Sequence, residues 1–491
     1  MVPPSITQPS GSNCTPVFVG IDFGTTFSGL AYNIGESSEQ TNFVDWGSDH
    51  PSPKFPTKVT ISNETILCGA QIPDGEESIQ WFKLALLHSD DLDDEIEQSP
   101  LFQEHEAFRK KLKLKAYEVV KHLFDYMWAK FLDALHSTSP RGTYSFHLTI
   151  AVPANWPQYI FDAIEKAIVE SGIRRQIHGL VSFVSEPEAT ILTAAAEPAI
   201  ILDGSILENV SVLKFQKGDI IIVCDCGGGT VDIGGYKISH LTPTTMTECI
   251  RGTCRLNGAI RLDDRFMDLL DTKAKDVHTH RGFDSGKREY FRQFADMFWE
   301  KDMKRNFGSD KTVWTYPVPG QWLASNAARR GEYPTLTFTL YETLRILVTE
   351  DFAEDLNSVF EPAIQIAQLV EEQINLVLEQ TETAPTYVLI SGGFGLNKYL
   401  RRIIQKRVNE VSERINHRVR VAALPGDRSS SAVSKGAVKK CMLKFAAQSE
   451  LRDSIPRVVE HVAPATYGIL SKVEHGSYEW AKSSASPILQ C

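Results

Sequence analysis

Val17-Phe-Val-Gly-Ile-Asp22-Phe-Gly24-Thr25-Thr26 is the stretch on which the fold turns. An apolar run ends in an aspartate, a Gly/Thr turn follows, and Phe27-Ser-Gly-Leu-Ala-Tyr32 resumes the apolar pattern. This predicts strand, tight turn, strand. About 200 residues downstream the design returns, at the spacing expected of a repeated unit. Ile220-Ile-Ile-Val-Cys-Asp225-Cys-Gly227-Gly228-Gly229-Thr230 runs into Val231-Asp232-Ile-Gly-Gly-Tyr-Lys-Ile238. Two copies of one hairpin, each opening a long segment, predict a duplicated fold. A third glycine turn closes Tyr387-Val-Leu-Ile-Ser391-Gly392-Gly393-Phe394-Gly395. A helix over Asn397 to Val411 follows, with Leu400, Ile403, Ile404, Val408 and Val411 on one face. Its start points backbone N–H groups at whatever lies beside the turn.

Outward from these landmarks, periodicity predicts helices over Glu104 to Leu135, Pro157 to Ser171, Asp264 to Phe307, Ala353 to Thr381 and Ser429 to Phe445. Tyr144 to Val152 reads as a strand, and Glu197 to Lys217 as a loop with a short apolar run. Strands alternating with helices make the chain α/β. Its 491 residues exceed one compact domain. With 42% apolar and 10% aromatic residues it has material for real cores. The net charge of −11 repels phosphate backbones and argues against nucleic acid. No apolar run reaches membrane-spanning length, so no membrane is expected. Met1 to Thr15 is Pro/Ser/Asn-rich and reads as a disordered tail rather than a secretory signal. Eight scattered cysteines suggest reduced thiols and a cytoplasmic setting, with the nucleus also open.

Glycine lets the backbone approach a ligand and take positive φ. Successive N–H groups in such turns form anion nests, and Thr hydroxyls add donors. Two hairpins facing one another could grip a polyphosphate, with Asp22, Asp225 and Asp232 holding Mg²⁺ through its waters. Either hairpin alone is an ordinary β-turn. The repeat with its aspartate retained is what carries the reading. Other phosphate signatures fail: Gly282-Phe-Asp-Ser-Gly286-Lys287-Arg288 is one residue short of a P-loop. Cys224 and Cys226 share one strand face and read as structural thiols.

These residues resemble a known family. VGIDFGTTFSG is similar to the first phosphate segment of the 70-kilodalton heat-shock proteins, and CDCGGGTVDI to the second. AVPANWP and VSEPEAT resemble the first connecting segment, LISGGFG the adenosine segment and SAVSKGAVKK the second connection. They follow the family's order over roughly residues 17 to 445. TECIRGTCRLNG and the SGGFG turn resemble the divergent branch with vertebrate and fungal members. The resemblance implies an actin-like ATPase fold of two duplicated ribonuclease-H-like lobes around a nucleotide cleft. Residues 1–16 would be a tail, 17–210 the first lobe and 211–427 the second. A helix at 428–446 would return to the first lobe, and 447–491 would be a short tail.

It also implies roles. Gly24, Thr25, Thr26, Gly227, Gly228, Gly229 and Thr230 would bond the phosphates of ATP or ADP. Asp22, Asp225 and Asp232 would order hydrated Mg²⁺. Lys83 would position the attacking water and Glu186 would accept its proton, with Asp225 and Thr230 completing the catalytic set. Gly392 and Gly393 would pass the ribose and α-phosphate, and Lys304 with Arg305 would flank ribose and adenine. Each has a plainer reading. Lys83 could be a solvated lysine, Glu186 a helix cap, and Lys304 and Arg305 a solvated pair. Phe394 and Leu396 stand where the chaperones carry Ser and an adenine-stacking Arg, which puts base selectivity in question. About 50 residues follow Cys441, fewer than the family's peptide-binding sandwich and lid need. Ala465-Thr-Tyr-Gly-Ile-Leu470 reads there as one strand. Three functions follow: a slow Mg-dependent ATPase with chaperone-like clients or co-chaperones, a nucleotide-regulated interaction protein with little turnover, or a sugar or polyol kinase.

Overall fold

The computed structural model describes residues 14–35, 41–47, 52–62, 64–73, 75–138, 142–197, 201–202, 214–281, 288–306, 313–317, 335–339, 361–445 and 454–463. Of the expected tail at the start, residues 1–13 lie outside these residues, while Thr15 and Pro16 open a strand instead; the Gly282–Lys287 part of the near P-loop and the expected strand at Ala465–Leu470 also lie outside.

The first hairpin forms as predicted, from β1 (Thr15–Asp22) and β2 (Phe27–Ile34), with Asp22 facing Gly29. Short strands β3 (Asn42–Phe43) and β4 (Lys54–Pro56) line β2. A separate ribbon follows, β5 (Val59–Ser62) with β6 (Thr65–Cys68). The sheet is completed by β7 (Tyr144–Val152), parallel to β1, and β8 (Ser182–Ser185), parallel to β7. Its order is β3-β2-β1-β7-β8, with β4 also on β2.

The second sheet grows around the second hairpin. β9 (Ile201–Leu202) comes from the segment expected to be a loop. β10 (Ile220–Cys226) and β11 (Val231–Leu241) form the hairpin, and β12 (Thr244–Arg255) extends it. β13 (Val313–Pro317) and β14 (Thr335–Thr339) form their own ribbon. β15 (Tyr387–Ser391) runs parallel to β10, β16 (Arg420–Ala423) parallel to β15, and β9 antiparallel to β16. β17 (Arg457–Glu460) lies parallel to β12, so part of the expected tail is an edge strand of this sheet. The order is β17-β12-β11-β10-β15-β16-β9.

The two sheets share a local plan. In each, an antiparallel hairpin has a parallel strand beside its first member: β7 on β1, and β15 on β10. Both first strands are buried on both faces, hence their unbroken apolar runs. Val17, Val19 and Ile21 pack toward the Ala116–Thr138 and Gln158–Glu170 helices, while Phe18 meets Val438 and Met442. Ile220, Ile222, Cys224 and Cys226 face the Glu361–Thr381 and Lys398–Arg414 helices, while Ile221 and Val223 meet Ile191, Leu192 and Ala432. Two helices, Glu186–Ala196 and Asp427–Phe445, are therefore shared between the sheets. They cross with backbones touching: a Cβ at Gly436 would overlap the Ala189 carbonyl, and one at Gly20 the Ser434 carbonyl.

Helix positions follow the periodicity, with local corrections. The stretch from Glu104 to Leu135 is two helices, Pro100–Lys111 and Ala116–Thr138, broken where Lys113 takes φ +56°. Asn397 caps Lys398–Arg414 by accepting from Tyr399 and Leu400 N–H. Gly172, at φ +79°, follows the Gln158–Glu170 helix as a left-handed stop. Cys224 and Cys226 hold their sulfurs 3.6 Å apart on one fully buried strand face.

Candidate functional site

Both hairpin turns close on glycine. Gly227 N–H donates to the Thr230 carbonyl at 2.9 Å, and Gly24 N–H to Ser28 Oγ at 3.2 Å. A Cβ at Gly24 would run into the Phe27 carbonyl. The turns also meet each other. A Cβ at Gly228 would overlap the Thr26 side chain, and one at Gly229 the Thr25 side chain. The structure thus brings Thr25, Thr26, Gly228 and Gly229 to one place, tip against tip. Helix Arg261–Arg281 begins just behind: Ala259 and Ile260 N–H groups donate to the Gly227 and Gly228 carbonyls at 3.2 and 2.8 Å.

Below the tips lies a buried cluster of charge. Asp22, Asp225, Asp232 and Glu186 are all buried, Asp232 completely. Lys83 is 1% exposed, which overturns the solvated reading. Its Nζ lies 2.8 Å from Glu186 Oε1 and over the rings of Trp156 and Phe23, at 5.2 and 5.6 Å. Glu186 is the first residue of its helix, but the cap is Ser185, whose Oγ accepts from Glu188 N–H. Its carboxylate is therefore free for Lys83, and the cap reading falls. Asp22 pairs with Lys54, Nζ to Oδ2 at 2.7 Å.

Among the described residues the second hairpin's acids have no ion-pair contact, although the charges of Lys54 and Lys83 favour ionised Asp225 and Asp232 from farther away. Asp225 Oδ1 accepts from Ser391 Oγ at 2.9 Å. Burial, then the charge of Glu186, raise the Asp225 carboxyl to about 7. Asp232 Oδ1 accepts from Ala154 N–H at 2.6 Å, while its Oδ2 is buried without a partner. Burial and Glu186 hold Asp232 well above the usual carboxylate range.

The third turn reaches the same place. Gly392 takes φ +82°, and a Cβ there would come within 2.6 Å of Asp225 Oδ1. Gly393 is exposed beside it. Asn397 Nδ2 donates to the Lys304 carbonyl at 2.8 Å, which ties this turn to the segment holding Lys304. Lys304 is buried, its Nζ 2.7 Å from Asp263 and 2.6 Å from Glu300, so the solvated reading fails for it. Arg305 is exposed, as that reading expects. Phe394 is buried and Leu396 is 38% exposed.

Heat shock 70 kDa protein 12B of Homo sapiens is similar to this chain. The two are 24% identical over 328 residues, a match covering 54% of this chain and 46% of the human protein. This chain thus spans less than half the length of that relative. No family model matches the chain. The mixed α/β architecture is compatible with an actin-like ATPase fold. No described helix is long and apolar enough to cross a membrane.

The residues fit a hydrated divalent cation. Among the described residues, four buried carboxylates face two ammonium groups, Lys54 and Lys83. Asp232 Oδ2 has no partner, and raised carboxyl groups mark uncompensated negative charge. Among the described residues, no three His, Cys, Asp or Glu side chains converge tightly enough to ligate an ion directly. Contact through the ion's own waters is the mode this spacing suits.

Sequence reasoning missed Lys54, Ser391, Trp156, Asp263 and Glu300. Ser391 and Trp156 lay inside motifs already singled out, so their signal was adjacency to a glycine turn and to the Pro-Ala-Asn segment. Lys54 gave no local signal, because only strand pairing brings it to Asp22.

Proposed function

We propose that this chain is a Mg-dependent, ATP-binding actin-like protein with slow ATP hydrolysis, built from two duplicated ribonuclease-H-like lobes. The lobes would be 17–210 and 211–427, with 428–446 returning to the first. It would belong to the divergent branch of the 70-kilodalton heat-shock family. One observation carries the reading: two glycine turns in tip-to-tip contact above a buried, under-compensated cluster of Asp22, Asp225 and Asp232.

The residues divide the work by chemistry. Thr25 and Thr26 hydroxyls and the N–H groups of Gly227 to Thr230 donate to phosphate oxygens, as an anion nest does. Asp22, Asp225 and Asp232 would hold Mg²⁺ through its waters, and the ion when bound neutralises phosphate charge. Lys83 adds a fixed cation where charge develops on the transferred group. Glu186, held 2.8 Å from Lys83 Nζ, accepts a proton from the attacking water and keeps its orientation. Phosphoryl transfer asks for this positioning and neutralisation rather than covalent help. Gly392 and Gly393 give the ribose side a wall without side chains, and Lys304 anchors it.

Calorimetry with ATP and ADP plus magnesium, followed by a phosphate-release assay, tests the proposal. Binding with turnover that Asp225→Asn abolishes is the expected result. Tight binding without turnover would instead favour a nucleotide-regulated interaction protein. Absence of any binding heat would defeat both.

A further inference from the structure

A row of three residues crosses the first sheet. Asp22 on β1 faces Gly29 on β2, and Gly29 faces Lys54 on β4. Every other strand residue would place a side chain between the outer two. Gly29 places none, and Lys54 reaches across it to Asp22 Oδ2 at 2.7 Å. The gap is tight: a Cβ on Gly29 would lie 3.1 Å from Lys54 Cγ and 2.7 Å from the Pro53 carbonyl oxygen. The second hairpin has the same row with different contents. There Asp225 faces Asp232, and Asp232 faces Cys254. The bridging position is thus glycine in one hairpin and a second carboxylate in the other, and the third position is lysine in one and cysteine in the other.

Resting on the ATP reading above, we propose that Lys54 is a positioning residue for the phosphate chain: it acts as the built-in counter-ion of the first hairpin, acting through Asp22 across the gap at Gly29. A polyphosphate entering between the turns meets Asp22, Asp225, Asp232 and Glu186, all buried. Like charges in a poorly hydrated site repel far more strongly than in water. Lys54 offsets that repulsion on the side where Thr25 and Thr26 present their hydroxyls. Its side chain remains 17% exposed, so it is not sealed in the core. Burial opposes its charge, but Asp22, Asp225 and Glu186 together outweigh burial and favour the ammonium form.

The test compares ATP with and without magnesium, by calorimetry on the full chain, in wild type, Lys54→Met and Gly29→Ala. Metal-free ATP carries about two more negative charges than its magnesium complex, so loss of one fixed cation penalises it more. Lys54→Met should weaken metal-free ATP by about tenfold or more and the magnesium complex by about threefold, through the same charge difference. Gly29→Ala, which keeps the ammonium but fills its path, should show the same split, and it decides the matter where Lys54→Met does not fold. A purely structural lysine would weaken both forms equally, and equal weakening or none in a folded variant overturns the inference. Wild type that binds ATP in neither form defeats the ATP reading and this inference together. Wild type that binds while the variants match it defeats this inference alone.

Discussion

The two hairpins share a backbone and differ in charge. In the first, Asp22 has a lysine within 2.7 Å and a glycine opposite it. In the second, Asp225 accepts from the Ser391 hydroxyl, feels Lys54 only at longer range, has a carboxylate opposite it, and is raised to about 7. One carboxylate is paired within the protein at ion-pair distance, while the other is held by burial and its neighbours toward the protonated form. The difference teaches that a repeated backbone does not repeat its charge: side chains across the strands leave one aspartate paired and the other with a raised carboxyl.

That contrast breaks first, if it breaks, on turnover. Asp225→Asn should reduce phosphate release by about 100-fold or more, the scale of losing one electrostatic contributor. Asp22→Asn, whose charge is already paired, should cost about tenfold less than that. Next in size is pH. Because the Asp225 carboxyl lies near 7 rather than in the usual range, nucleotide binding through magnesium requires it to lose a proton. Affinity for ATP plus magnesium should fall by up to about tenfold per pH unit below 7, and calorimetry at pH 6, 7 and 8 should find that slope reduced in Asp225→Asn, with Asp232 supplying what remains.

Stability sharpens the comparison by sign. A carboxyl raised in the fold contributes stability below the ordinary carboxylate range, lost as pH rises through 7. Urea melts of metal-free protein at pH 8 should therefore find Asp225→Asn more stable than wild type by about 1–3 kcal/mol. Asp22→Asn should be less stable by about 1–3 kcal/mol, since it strands the Lys54 ammonium. The smallest effect belongs to Thr25→Ser, which retains the hydroxyl donor. ATP affinity by the same calorimetry should stay within about threefold of wild type.

Both hairpins, the third turn and the long helices were legible, because each is written locally: apolar runs, Gly/Thr turns, an Asn cap. Lys83 and Glu186 were legible only through the resemblance. What makes them a pair is a contact between a 3₁₀ turn and a distant helix start, which no spacing encodes. Lys54 was illegible for the same reason. Lys304 was named without its partners: Glu300, four residues before it, was legible as an i,i+4 pair, whereas Asp263 comes from a separate helix and gave no spacing signal. β9 escaped because two residues are too few to carry a period, and β17 because edge strands need little apolar patterning.

The crossing at Gly436 and Ala189 has a mechanical meaning. Where two helices touch backbone to backbone, no side chain separates them, so the spacing of the elements they carry is set by the main chain itself. Any side chain at 436 would meet the carbonyl, carbonyl carbon and Cα of Ala189, so it would wedge the two shared helices apart and loosen both sheets at once.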